Sequence, residues 1–185
     1  MSDEDIPVQL FVYDLTAGAA RSLSPMLLGK QLDGIWHTSV VVDRVETFFG
    51  AGVQQAVPGT TPFGQPLQKL DIGKTSLDAS TRDELLADLS TRFQPEHYSL
   101  LTRNCNHFSN ELCELLCGQG IPEWVLSQAD EVFNTPLGQM LMPVIMQMEG
   151  QLGGATATGF GSAGVGTGAV APPRFNSNGP SLPPR

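Results

Sequence analysis

The chain predicts an α+β fold, a small antiparallel sheet packed with helices, and three observations carry that prediction. Two β-branched and aromatic runs are separated only by Asp43-Arg44, the spacing of a hairpin. Apolar residues recur at intervals of three and four in segments near residues 85, 108 and 141, the pattern of helices with one buried face. The chain has 185 residues, 41% of them hydrophobic, enough for one domain with a real core.

Taken in order, Val8 to Tyr13 reads as a strand. Ser24-Pro25 reads as an N-cap followed by proline at the first helical position, opening a short helix through Lys30 or Gln31. Strands are expected at His37 to Val42 and Val45 to Phe49. Gly50 to Pro66, rich in Gly, Pro and Thr, reads as a loop, and Leu67 to Ile72 as a further short strand. Ser80, with Asp83 three residues on, is expected to cap a helix whose stripe is Leu85, Leu86, Leu89 and Phe93. The next helix opens at Asn104-Cys105-Asn106, buries Phe108, Leu112, Leu115 and Leu116, and stops at Gly118. Thr135-Pro136 starts a last helix with Leu137, Leu141, Ile145 and Met148 on one face, kinked or shortened by Pro143. Residues 149–185 change to Gly, Ala, Ser, Thr and Pro, a composition that cannot offset its chain entropy by burial, and a disordered tail is expected there.

Cys105 is the leading nucleophile candidate. A helix N-terminus points unpaired N–H groups and partial positive charge at the first turn, so a thiol there is expected to titrate below its free value of about 8.5. A thiol nucleophile needs a base, and the chain offers only His37, His97 and His107. His107 lies roughly 200° around the helix from Cys105, which turns its ring away. His97, in a polar approach to the helix, has no element to hold it. His37 opens a strand, a rigid platform; from the residues alone its plainer reading is a strand-end histidine hydrogen-bonded to backbone. Zinc is the rival chemistry, since Cys105, His107, Cys113 and Cys117 are suitable ligand types. On one continuous helix, however, Cys105 and Cys117 stand about 18 Å apart. Cys113 and Cys117 read better as free thiols on the packed side of the helix. No metal and no cofactor is expected.

The blocks Val8-Gln9-Leu10-Phe11-Val12-Tyr13-Asp14-Leu15, Leu23-Ser24-Pro25, Gly34-Ile35-Trp36-His37-Thr38-Ser39, Phe48-Phe49-Gly50 and Asn104-Cys105-Asn106-His107-Phe108-Ser109, in this order, resemble the PPPDE family of peptidases and, within it, the desumoylating isopeptidases. The resemblance runs over about residues 6–148, through Ile121-Pro122 and Thr135-Pro136-Leu137-Gly138. It implies a circularly permuted papain-like cysteine peptidase fold over 6–148, with His37 and Cys105 as the catalytic dyad. Histidine before cysteine in the chain suits permutation, because chemistry depends on spatial adjacency and not chain order. No third, imidazole-orienting Asn has a clear counterpart after His37.

The implied activity is removal of a small ubiquitin-like modifier (SUMO), or ubiquitin, from a protein lysine. Thioester cleavage, as in depalmitoylation, and a non-catalytic adaptor are the alternatives. Cys105 would attack the carbonyl carbon of a C-terminal glycine and His37 would protonate the leaving amine. The backbone N–H of Cys105 is an expected oxyanion donor, with Gln31, Asn104 and the Trp36 indole as candidates for a second. The Pro25 to Trp36 segment and the Gly50 to Pro66 loop are expected groove walls. A homodimer is implied by the resemblance alone. With 19 acidic against 10 basic residues and no basic stripe, nucleic acid and anionic membranes are not expected partners. No apolar run approaches the about 18 residues that span a bilayer. Three cysteines, no Asn-x-Ser/Thr sequon and no signal-like N-terminus set the expected location as cytoplasm and nucleus.

Overall fold

The computed structural model describes residues 5–140 and 143. Five strands form one antiparallel sheet: β1 (Ile6–Asp14), β2 (Trp36–Val42), β3 (Val45–Gly50), β4 (Gly52–Ala56) and β5 (Gln68–Thr75), in the spatial order β4-β3-β2-β1-β5. The helices are α1 (Ala19–Leu28), α2 (Ala79–Arg92), α3 (Cys105–Cys117), α4 (Glu123–Leu126) and α5 (Gln128–Phe133). The hairpin between β2 and β3 turns on two residues of positive φ, Asp43 (49°) and Arg44 (64°), and pairs Val42 with Val45. That two-residue turn follows the right-handed twist of the strands and so fixes the register.

Strand alternation sends successive side chains to opposite faces. On one face, Val8, Leu10, Val12, Val40 and Phe49 meet Phe108, Leu112, Cys113 and Leu116 of α3 together with Leu89 and Phe93 beside them. Phe93 and Phe108 meet edge to face at 5.2 Å, and Phe49 closes the same aromatic cluster. Each such fully buried side chain contributes about 1.5–3 kcal/mol, which makes α3 the anchor of the fold. On the other face Phe11, Tyr13 and Val41 pack with Phe63 from the loop after β4.

Four expectations change. The first helix starts at Ala19, not at Ser24: the Asp14 carboxylate accepts the N–H groups of Thr16 (2.9 Å) and Gly18 (2.7 Å), Thr16 Oγ1 accepts from Ala20, and the turn begins there. Ser24 Oγ instead accepts from the Leu32 N–H at 2.7 Å. The expected 50–66 loop contains β4, because Gly52 adopts φ 88° and lets the chain fold back on β3. The cap of α2 is Asp78, whose carboxylate accepts from the Thr81 N–H (2.8 Å), and not Ser80. In α3, Leu115 is 46% exposed and the buried face carries Asn106 and Ser109 as well as the apolar stripe. Of the expected last helix, 136–140 is helical; Leu141, Ile145, Met148 and the expected tail 149–185 lie outside the described residues.

Candidate active site

The cysteine sits where a chain reversal delivers it. Ser99 and Arg103 exchange backbone hydrogen bonds (3.1 and 3.0 Å), and Asn104 follows in extended conformation as the N-cap of α3. Asn104 Oδ1 accepts from the N–H groups of Asn106 (2.9 Å) and His107 (3.1 Å), and its Nδ2 donates to Leu100 O (2.8 Å). His107 Nδ1 accepts in return from the Asn104 N–H at 3.3 Å, completing a capping box. His107 is therefore a helix cap, and Asn104 spends its carbonyl oxygen and one amide N–H on capping and on Leu100 O. His97 lies exposed in the 3-10 turn Pro95–His97, and Gln31 is exposed and donates to Asp33 Oδ1.

The Cys105 thiol is buried and donates to Asn106 Oδ1 at 3.6 Å. Burial pushes its pKa up to about 11 against the backbone N–H groups of Thr38, Asn106 and Cys105 itself and the side chain of Tyr98, which pull it down. The expected depression by the helix N-terminus is thus overturned: a few aligned N–H groups do not offset removal of the sulfur from water. The N–H of Thr38 at the sulfur belongs to β2, so the strand backbone next to His37 reaches the thiol.

Four hydrogen-bonding side chains, Thr38, Ser109, Asn106 and Gln128, fasten this junction. Thr38 Oγ1 donates to Asn106 Oδ1 (2.9 Å) and lies 2.9 Å from Ser109 Oγ, so α3 and β2 are joined by side chains with no solvent access. Asn106 Nδ2 donates to Trp36 O (3.2 Å) and Val125 O (3.5 Å). Gln128 accepts from the Trp36 N–H (2.6 Å) and donates to Gly34 O (2.8 Å), acting as an extra strand at the mouth of β2. Gly34 is required here because a Cβ would overlap the Trp36 ring, which itself stands edge-on to Trp124 at 5.6 Å.

The His37 imidazole is held differently. Alternation along β2 turns Thr38 toward α3 and His37 toward the opposite face, where it pairs across the ladder with Tyr13. Its ring stacks 3.8 Å from Phe63 and lies 5.9 Å from Phe48 and 6.1 Å from Tyr13. It is 3% exposed, burial drives its pKa down to about 3, and Nε2 has no hydrogen-bond partner. The structure thus brings Cys105 to the backbone beside His37, while the imidazole is not hydrogen-bonded to the thiol. Both groups are neutral in this state.

Among the described residues, no group of three or more His, Cys, Asp or Glu side chains is placed to hold a metal ion. Cys105 and Cys117 occupy the two ends of α3; Cys113 is buried in the core, and Cys117 packs against Gly73. Sequence reasoning missed Asn106, Thr38 and Gln128. Polar residues three apart on an apolar helical face, Asn106 and Ser109, were the available signal; Gln128 gave none.

The PPPDE putative peptidase domain matches residues 6–146. Desumoylating isopeptidase 1 of Homo sapiens is 44% identical over 155 residues, covering 83% of this chain and 92% of the relative. The protein of the same name from Xenopus laevis is 42% identical over 149 residues, 80% of this chain and 88% of the relative. A DeSI-like protein of Schizosaccharomyces pombe is 33% identical over 129 residues, with 64% and 61% covered. On the extent of the domain match and the identity to these relatives, the chain belongs to the PPPDE peptidase family.

Proposed function

We propose that the protein is a cysteine isopeptidase that removes SUMO from the lysines of conjugated proteins, with Cys105 as nucleophile and His37 as base. The observation that carries this reading is a thiol at a capped helix N-terminus beside the backbone N–H groups of Cys105, Asn106 and Thr38. Such donors favour negative charge that develops on a substrate oxygen, because they are fixed before reaction. The identity to relatives named desumoylating isopeptidases supports the substrate class.

His37 takes the thiol proton, the sulfur attacks the carbonyl carbon of the modifier's last residue, and a tetrahedral oxyanion forms. Collapse breaks the C–N bond as His37 returns the proton to the departing lysine amine. Water then attacks the thioester, giving a carboxylate and regenerating the thiol. The first step requires the imidazole, still stacked on Phe63 and carried with its loop, to close on the sulfur. The Trp36–Trp124 pair and the 57–66 loop supply apolar surface for the modifier's extended C-terminus. Assembly as a homodimer belongs to the same reading; exposed Leu23, Met26 and Leu27 on α1 supply apolar surface for it.

The test is a SUMO probe ending in an electrophile, with adduct formation mapped by mass spectrometry. An adduct on Cys105 that is lost in Cys105→Ala supports the reading. Reaction with a ubiquitin probe alone, or cleavage of acyl-cysteine with amide conjugates left intact, replaces the substrate by ubiquitin or by a thioester. No adduct with any of them overturns the enzyme assignment.

A further inference from the structure

Glu46 of β3 is completely buried and, among the described residues, has no cationic partner. Three donors converge on it instead: Tyr13 Oη at 2.6 Å and Ser39 Oγ at 2.6 Å on Oε1, and the Gly59 N–H at 2.7 Å on Oε2. A buried carboxylate without an ion pair is a costly element of a core, and its hydrogen bonds are short and directional, so it fixes geometry more than it adds stability. The geometry fixed is that of a loop. Gly59 belongs to a segment braced by Thr60 N–H to Val57 O (3.1 Å) and Gly64 N–H to Thr61 O (3.3 Å), and tied at its far end by Leu67 N–H to Val12 O (2.7 Å).

That loop carries Phe63, whose ring lies 3.8 Å from the His37 ring, and Thr61, which is buried against the same side of the sheet. Tyr13, the second ligand of Glu46, stands directly across the ladder from His37. Two routes therefore lead from Glu46 to the imidazole, one through Tyr13 and one through Gly59 and Phe63. We propose that Glu46 is a positioning residue of the reaction, latching the 57–67 loop so that Phe63 sets the orientation of the His37 ring. The inference rests on His37 as the base of the proposed function, and it supplies what a dyad without an orienting third side chain lacks. His37 Nε2, buried without a hydrogen-bond partner, marks the seam along which the ring and the loop can shift together.

The test combines Glu46→Gln, which keeps shape while removing acceptors, with Phe63→Ala at a half-buried site. Two quantities are read: the pH dependence of Cys105 alkylation by iodoacetamide, which needs no substrate, and the kcat and KM for a SUMO conjugate. Each variant is expected to lower kcat about tenfold to a hundredfold with KM nearly unchanged, as misplacement of a reacting group does. Each is also expected to shift the alkylation profile; the double variant matches the single ones, and neither adds a further shift to His37→Ala. A folded Glu46→Gln protein with the wild-type profile overturns the inference, as does a shift that persists in His37→Ala. Should Glu46→Gln fail to fold, Phe63→Ala decides by the same readouts. A wild-type protein inert to every modifier probe, in which Glu46→Gln still shifts alkylation, refutes the substrate and leaves the latch standing.

Discussion

On the α3 side of β2, Thr38 and Val40 meet a helix through buried hydrogen bonds and a continuous apolar core; on the other side, His37 and Ser39 meet a loop through aromatic rings and one carboxylate. The first arrangement has many interlocking contacts and holds Cys105. The second rests on fewer contacts, among them the Glu46 to Gly59 hydrogen bond and the Phe63 stack, and holds His37. The difference teaches that the proposed dyad would draw a rigid member from one face of the sheet and an adjustable one from the other, with closure assigned to the adjustable side by that proposal.

The largest effect follows from removing either member. Cys105→Ser and His37→Ala are each expected to lower SUMO-conjugate cleavage by about 10⁴-fold or more, since groups that act as a unit are strongly non-additive. Single-turnover assays on variants that retain the wild-type circular dichroism spectrum check it. Loss with Cys105→Ser alone would make the far face purely structural.

The next effect is on stability and belongs to the α3 side. Phe108→Ala empties the centre of the cluster formed with Phe49 and Phe93 and is expected to cost about 3–5 kcal/mol in urea unfolding. Phe63→Ala, at the loop seam, should cost clearly less. Equal losses would erase the distinction between the two faces.

A smaller effect tests the junction. Asn106→Ala leaves Trp36 O and Val125 O without its amide and Thr38 Oγ1 without its acceptor, an expected cost of about 1–3 kcal/mol. Faster alkylation of Cys105 should accompany it, because the thiol loses the acceptor that keeps its proton in place. Unchanged unfolding and alkylation would show that the junction is not held by Asn106.

How far these faces can be foreseen differs in the same way. The helical side is written locally: the Asn-Cys-Asn start, the stripe of Phe108, Leu112 and Leu116 and the Gly118 stop place α3, and the Gly118 φ of 72° is the left-handed end that the residue permits. β4 escaped because Gly52 looks like loop composition until its backbone turns back on β3. Ser24 misled because a serine before a proline matches a cap, while the real start lies in hydrogen bonds to Asp14. The far side of the site is less legible still. Glu46 to Gly59 and Gln128 to Trp36 are contacts between segments distant in the chain, and a solvent-exposed Glu on a hairpin would have the same local pattern. The thiol pKa failed for a related reason: proximity to a helix start can be read from the residues, whereas depth below the surface cannot.

The finest separation of the two faces is by pH. His37 is held near 3 by burial but titrates near 6.5 when unfolded, so below about 6.5 the unfolded chain binds more protons and stability falls as the pH drops. That loss accrues from about 6.5 down to about 3, and between pH 6.5 and 5.5 it amounts to about 1 kcal/mol. Burial lowers the pKa of His107 too and adds in the same direction. The thiols act at the other end. Cys105 and Cys113 are raised to about 11 and about 12, so their contribution is complete below the unfolded value of about 8.5 and drains away as the pH climbs toward the folded values. Urea midpoints across this range should therefore form a plateau between about 6.5 and 8.5 with a shoulder on each side. His37→Leu is expected to reduce the acid shoulder while leaving the alkaline one, and Cys105→Ala to reduce the alkaline shoulder to the part that Cys113 retains while leaving the acid one. An acid shoulder that survives His37→Leu in full would assign it to His107 at the helical side and reverse which face answers to protons.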